Sequence, residues 1–411
     1  MDNLGFDVST DIDDLLIGLR SFVEAEVVTR HEQAGDLLVD PRLMYGPDGL
    51  YVPEVLELVA EVRMTAAKAG YYSMFAPASI GGGGLGSEAL YRVWHDLHHR
   101  FGPHYWLKGF AVAHWTKGPS HVLAHASPTA QAVALPDLIA GRTSMCFGMS
   151  EPDAGSDARM MQTRAVRDGS GWSLSGSKIW ITNAPYADWI VVFAVTDSEQ
   201  AAARKGGISA FLVPTDAPGL VVDGSIRMFG HLGGDEAQVY LDDVHVDDEM
   251  VLGEIDRGFA IAMSGVASGR LYNSARAVGM GRWALEMALE YAERRQTFGH
   301  PIIEHQGVSF QLADAAVELH AAHLVGLNCA LMLDRGQKAL KELSMAKLLS
   351  TEAAARAVDR VMQVHGAIGF TNELGLVEAY ETIRKTCVAD GSSEILRHGI
   401  AERLRRGDVA L

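Results

Sequence analysis

Phe147-Gly-Met-Ser-Glu-Pro-Asp-Ala-Gly-Ser-Asp157 is the stretch from which the fold is read. It starts as a strand end and breaks into a polar loop holding Pro and Gly, and the periodicity of the chain changes around it. Upstream, from about residue 10 to 142, apolar residues recur at three- and four-residue steps. Val55, Leu58, Val59 and Val62 are one such set, with Gly70 as a stop. Ser127-Pro128 supplies an N-cap and a proline at the first helical position, opening a helix that ends near Gly141. Downstream, to about 252, the period falls toward two. Residues 189–196, 208–213 and 237–246 are rich in branched and aromatic side chains, and Asp168-Gly169 reads as a hairpin turn. From about 253 helical patterns return over 263–294, 302–333 and 340–363, with breaks at Arg335-Gly336 and Gly366. The pattern predicts an α+β multidomain chain: a helical domain over 1–142, a β domain over 143–252 and a helical domain over 253–411.

Bulk properties narrow the function. A net charge of −17 over 411 residues opposes nucleic-acid binding, which needs a basic face. The C-terminal Arg397, Arg403, Arg405 and Arg406 make only a small basic group. Cys146, Cys329 and Cys387 lie far apart without CxxC or zinc spacing, so buried thiols are expected and no metal site. His98 and His99 have no third ligand at helical spacing and read as surface or packing residues. The acidic opening MDNLGFDVSTDIDD lacks the features of a signal peptide, and no apolar run is expected to reach the length needed to span a membrane. A cytoplasmic location is the resulting expectation.

Six segments in order resemble the acyl-CoA dehydrogenase family: 147–157, Trp180-Ile-Thr-Asn183, Arg295-Gln-Thr-Phe-Gly299, His305-Gln306, Gln363-Val-His-Gly366 and Asp390-Gly-Ser-Ser-Glu394. Pro77 with Gly81–Gly84 is similar to the glycine turn of that family's first domain. The resemblance implies an N-terminal helical domain, a middle β-barrel-like domain and a C-terminal four-helix bundle. It also implies bound FAD, a homotetramer (or dimer), a CoA thioester substrate, a role in fatty acid and lipid metabolism, and an electron-transferring flavoprotein as acceptor.

Residue by residue, the resemblance implies flavin or phosphate contacts at Phe147, Met149, Ser150, Ser156, Trp180 and Thr182. It puts Arg295, Thr297, Phe298, Gln306, Gln363, Gly366 and Ala367 at the FAD adenine and pyrophosphate. Arg295 would reach the cofactor of a neighbouring subunit, as a planar guanidinium suits. Ser392 and Glu394 complete the cofactor set, and Ser156, Arg270 and Gly391 fall at the substrate. Phe147 stands where some relatives have Tyr, and Ala367 where most have Gly. Ala267 lacks the Asp that some members place near CoA.

The family reaction takes the α-proton of an acyl thioester with a carboxylate while hydride leaves the β-carbon. The usual base is a Glu in Tyr-Glu-Gly-Thr; here the segment is Ala389-Asp390-Gly391-Ser392. The alternative base position, just before Arg270, is Gly269. Asp390 is therefore the expected base, with an N-cap as its structural alternative and Ser392 or Ser393 as the competing caps. Asp is one methylene shorter than Glu, roughly 1.5 Å of reach, and Ala389 replaces a bulky Tyr. A branched, cyclic or otherwise bulky acyl group is the expectation. A nitroalkane-oxidase-like enzyme, or another flavin oxidase or monooxygenase on this fold, is the alternative activity. A flavoprotein seated on nucleic acid is the non-enzymatic one.

Overall fold

The computed structural model describes residues 8–410. The first seven residues of the acidic opening, read above as no signal peptide, lie outside the described residues. The main helices are α1 (Thr10–Phe22), α2 (Pro53–Lys68), α3 (Ser87–Phe101), α4 (Pro128–Ile139), α5 (Gly258–Arg294), α6 (Gln306–Asp334), α7 (Leu340–His365), α8 (Leu376–Thr386) and α9 (Ser393–Arg405). The strands of the main sheet are β1 (Met145–Gly148), β2 (Arg164–Asp168), β3 (Gly171–Thr182), β4 (Trp189–Val195), β5 (Ile208–Pro214), β6 (Leu220–Asp223), β7 (Glu236–Asp247) and β8 (Val251–Leu252). Helices, strands and helices follow one another as the periodicity predicts.

The chain packs as two compact units that cut across this order. One unit takes residues up to Phe22, Gly86–Trp106 and Ala267 onward; the other takes Val23–Leu85 and Leu107–Val266. Helix α5 begins in the second and continues in the first.

In the first unit, helices approach closely because small residues line their seams. Ala346, Ala353, Ala354 and Ala357 of α7 are fully buried. A Cβ at Gly279 would lie 2.3 Å from the His95 carbonyl, so α5 and α3 meet backbone to backbone only at glycine. Ser274 and Ser350 join α5 to α7 by a buried 2.7 Å hydroxyl hydrogen bond.

Helix α6 corrects one expectation. Its mean hydropathy of 1.4 over 18 residues makes it long and apolar enough, by length and composition, to cross a membrane. The same test is passed by core helices of bundles, and Leu312, Ala315, Leu319, Ala322 and Leu327 of α6 are buried within this unit.

In the second unit the sheet order is β6-β7-β3-β2-β4-β5-β8, with β1 parallel to β4. The apolar runs of β4 and β5 are explained by coverage on both faces. Val191, Phe193, Ala210 and Leu212 join one core layer with α4, whereas Ile190, Val192, Phe211 and Val213 join another with β3 and β7. The β2–β3 hairpin closes at the Asp168–Gly171 pair, with Gly169 at φ +59°. The Ser127 side chain caps α4 from 3.1 Å, with Pro128 in its first turn. The three cysteines are buried, as expected.

Candidate active site

Asp390 lies in the short turn between α8 and α9, and both it and the next residue have left-handed backbones: φ is +53° at Asp390 and +103° at Gly391. Among residues with a side chain, Asp is one of the few that enters this region readily. The turn is gripped from two helices. Arg270 Nε of α5 donates to the Asp390 carbonyl at 3.0 Å, and Asn273 Nδ2, one helical turn on, donates to the Asp390 carboxylate at 2.7 Å. From α7, Lys347 Nζ donates to the Gly391 carbonyl at 2.8 Å.

The competing N-cap role falls to Ser392, whose hydroxyl accepts from Ile395 N at 3.4 Å and starts α9. Asp390 is thereby released from capping. The serine hydroxyl, expected at the flavin, has this structural duty. Ser392→Ala is expected to cost about 1 kcal/mol of stability, read from urea unfolding.

Burial raises the Asp390 carboxyl from its ordinary 3.8 to about 6, against the opposing pull of Lys347, Arg270, Arg276 and the Asn273 amide. Burial likewise lowers Lys347 to about 8 and lowers Arg270. The pocket therefore holds a carboxylate that titrates near neutrality. The sequence reading did not single out Asn273 or Lys347. Asn273 was within reach, since it stands three residues after Arg270 on one face of a helix. Lys347 had a fainter signal, a cation inside the small-residue seam of α7.

In the second unit the 147–157 stretch leaves β1 and enters a loop pinned by a buried ion pair. Lys178 Nζ of β3 meets Glu151 Oε1 at 2.7 Å, with side-chain exposures of 0% and 6%. Glu151 also accepts from the backbone N–H of Gln162 and Thr163. Burial alone would raise the Glu151 carboxyl; Lys178 and these donors hold it below its ordinary value. Met149 and Ser150 stay half-buried and Ser156 is exposed. Phe147 is packed inward, its ring 4.8 Å from both Trp115 and Phe193.

A second local irregularity exposes Trp180. The β3–β7 register shifts between Lys178 and Ile181, and Trp180 sits there at φ +63°. A bulge of this kind re-aims a side chain, and the indole is 55% exposed rather than packed in the core. At the next residue after Thr182 the chain is already buried; Asn183 Nδ2 donates to the Met145 carbonyl at 2.9 Å and ties the end of β3 to β1. The hydroxyls of Ser150, Ser156 and Thr182 have no partner among the described residues. An exposed indole and uncommitted hydroxyls in this unit have the chemistry that a flat, hydrogen-bonding ring system takes.

In the first unit, the expected adenine and pyrophosphate residues gather at one end of the bundle. Thr297 pairs with His300 across a two-residue turn whose central residues, Phe298 and Gly299, both have positive φ. This is the backbone signature of a tight hairpin, and it projects a Phe298 ring that is 94% exposed. Thr297 Oγ1 lies 3.2 Å from His305 Nε2, which places the hairpin at the N-terminus of α6 and so beside Gln306. The Tyr291 ring stacks on His365 at 4.5 Å, bringing in the α7 end with Gln363, Gly366 and Ala367. Arg295, Gln306, Gln363, Gly366 and Ala367 are all exposed. A guanidinium beside a long helix's N-terminus fits a pyrophosphate, so this surface also has the chemistry FAD needs. Arg294 is solvated, 3.5 Å from Glu290.

Comparison with known proteins bears on the family of the chain. Residues 146–244 match the family model described as "Acyl-CoA dehydrogenase, middle domain", and residues 256–405 match "Acyl-CoA dehydrogenase, C-terminal domain". The chain is 30% identical over 355 residues to the 3-(aryl)acrylate reductase of Clostridium sporogenes, covering 86% of this chain and 92% of that one. It is 39% identical over 261 residues to the mitochondrial short-chain specific acyl-CoA dehydrogenase of Homo sapiens, covering 64% and 63% of the two chains. Among solved structures, the FAD complex of PigA superimposes with a TM-score of 0.83 at 26% identity, over 98% of this chain and 99% of that one. With its motifs in family order and both domain models matched, the chain belongs to the acyl-CoA dehydrogenase family of FAD-dependent oxidoreductases.

Proposed function

We propose that Asp390 is the base that removes the α-proton of an acyl-CoA thioester, giving the 2-enoyl-CoA. The observation that carries this reading is the carboxylate itself. It is half-buried within reach of α5 and α7, desolvation raises its carboxyl to about 6, and one oxygen is held by Asn273 while the other takes no hydrogen bond among the described residues. Bound FAD supplies the hydride acceptor for the β-carbon. The substrate C–H pair leaves as a proton on the Asp390 carboxylate and a hydride, and the α and β carbons become doubly bonded. The Asp390 backbone N–H also has no acceptor among the described residues. It can donate to the thioester oxygen as negative charge develops there.

The pH profile tests the base. For a base with its folded pKa near 6, kcat/KM is expected to rise with unit slope below about pH 6 and to flatten above it. A flat profile from pH 5 to 7 would remove Asp390 from the role.

The acyl group is proposed to be branched, cyclic or aromatic near the α-carbon. A shorter base than Glu and the small, exposed Ala389 beside it support this. So does the alignment over most of the chain with a relative named for an aryl acrylate. Anaerobic bleaching of the flavin with a panel of acyl-CoAs decides it: bulky thioesters are expected to bleach faster than straight C4–C8 chains. Bleaching by nitroalkanes alone would move the assignment to an oxidase. The reductive direction on a conjugated acyl group is the second reading, on the name of the same relative, and is read by flavin reoxidation with a 2-enoyl thioester.

A homotetramer (or dimer), an electron-transferring flavoprotein as acceptor and a cytoplasmic location complete the proposal. Exposed Phe298, Phe310 and Phe370 support the assembly, since such apolar surface marks an interaction site.

A further inference from the structure

We infer that Asn273 is the positioning residue that makes the short Asp390 side chain usable as a base, by clamping one carboxylate oxygen from the helix that also holds that residue's backbone. The inference rests on the assignment of Asp390 above. Its observation is the double grip of α5. Arg270 takes the Asp390 carbonyl at 3.0 Å, and three residues later Asn273 takes the Asp390 carboxylate at 2.7 Å. One rigid helical turn thus fixes both ends of the residue. Asn273 is 3% exposed, so its amide is held in one place, and the bond is made out of competition with bulk water.

Geometry explains why an amide serves here. An Asp side chain has one fewer torsion than Glu and cannot extend toward a substrate, so its reach is set by the backbone turn and one rotamer. Fixing Oδ2 by a neutral donor leaves Oδ1 as the only oxygen free to take a proton. Displacements of about 1 Å can cost on the order of 10²-fold in rate, so a freely rotating carboxylate would be a poor base even in the correct pocket. The donor also favours the ionised carboxylate over the acid without adding a charge to a pocket that Lys347, Arg270 and Arg276 already make cationic. Lys347 holds the following carbonyl and faces Cys387 as well as Asp390.

The test uses the FAD-loaded full-length enzyme and whichever acyl-CoA bleaches its flavin, with Asn273→Leu, Asn273→Ser and Asn273→Asp. Asn273→Leu keeps the volume and loses the donor. It is expected to lower kcat roughly 10- to 100-fold with KM nearly unchanged, and to move the acid limb of the pH profile up by about one unit. Asn273→Ser retains a donor and is expected to recover part of both. Asn273→Asp, which puts a second carboxylate beside the first, is expected to move the limb further up than Leu does. A second readout needs no turnover: the pH dependence of Tm between pH 4 and 7 is expected to shift in the same direction in the Leu and Asp variants. A kcat loss in Asn273→Leu with the acid limb and the Tm profile unmoved would overturn the inference, leaving Asn273 a packing residue. If Asp390→Asn keeps wild-type flavin reduction, the base assignment itself fails, which is a separate result.

Discussion

Asp390→Asn is expected to lower the rate constant for flavin reduction by roughly 10²- to 10⁴-fold, the range over which a positioned acid or base contributes. The substitution keeps the shape and the Asn273 neighbour but cannot accept the proton, so acyl-CoA binding should survive while reduction stops. Stopped-flow bleaching reads the rate, and a binding titration reads the retained affinity. Gly269 occupies the other position from which the family draws a base, so no second carboxylate stands ready there. A variant within threefold of wild type would end the assignment.

The same variant has a stability signature whose sign follows from the raised pKa. A carboxyl moved up from 3.8 to about 6 is more comfortable protonated in the folded chain than in the unfolded one. Its contribution is complete below about pH 4 and is lost as pH rises through 6. Asn cannot ionise, so the Tm of Asp390→Asn relative to wild type should climb between pH 4 and 7. The ceiling is about 3 kcal/mol, from the size of the shift. Lost function with gained stability above pH 6 is the combination expected of a buried base.

Lys178→Met carries the second large effect. It strips the counterion from Glu151 in a site where neither side chain reaches water, and an uncompensated buried charge costs about 3–5 kcal/mol. Thermal unfolding should drop by on the order of 10 °C. Glu151 heads the loop that carries Ser156, and its carboxylate also holds the N–H groups of Gln162 and Thr163. The loop is therefore expected to loosen along with the sheet, and FAD content on purification to fall. Adding Glu151→Gln should restore much of the lost stability, because the orphaned charge disappears. If the single variant melts with wild type, the pair contributes nothing to the loop.

The α–β–α order, the extent of β4 and β5, the Ser127 cap and the start of α7 were legible in the residues. Each depends on interactions within a few positions: side-chain periodicity, a cap, a proline in the first turn. The family itself was legible through the motif segments, because their order along the chain is itself a signal. Phe147 shows the limit of that route. Its place in the motif did not reveal that its ring packs between Trp115 and Phe193. Trp180 shows the converse: the resemblance places it at the flavin, and the bulge at φ +63° is what turns a strand tryptophan outward. Helix α6 reaches the length and hydropathy of a membrane span that the sequence was not expected to hold, and its buried residues serve the inside of the helical unit.

By itself the sequence determined the family, the order of helices and strands, and that Asp390 stands where the base belongs. Those depend on residue types at fixed spacings. What only the tertiary structure decided is the setting of that carboxylate. Asn273, Arg270 and Lys347 lie on two helices, 117, 120 and 44 positions away from the groups they hold. Burial of Asp390 among them, rather than any neighbour in the chain, moves its pKa toward neutrality. Desolvation and hydrogen bonding act through space, and the spacing of residues along the chain carries no record of them.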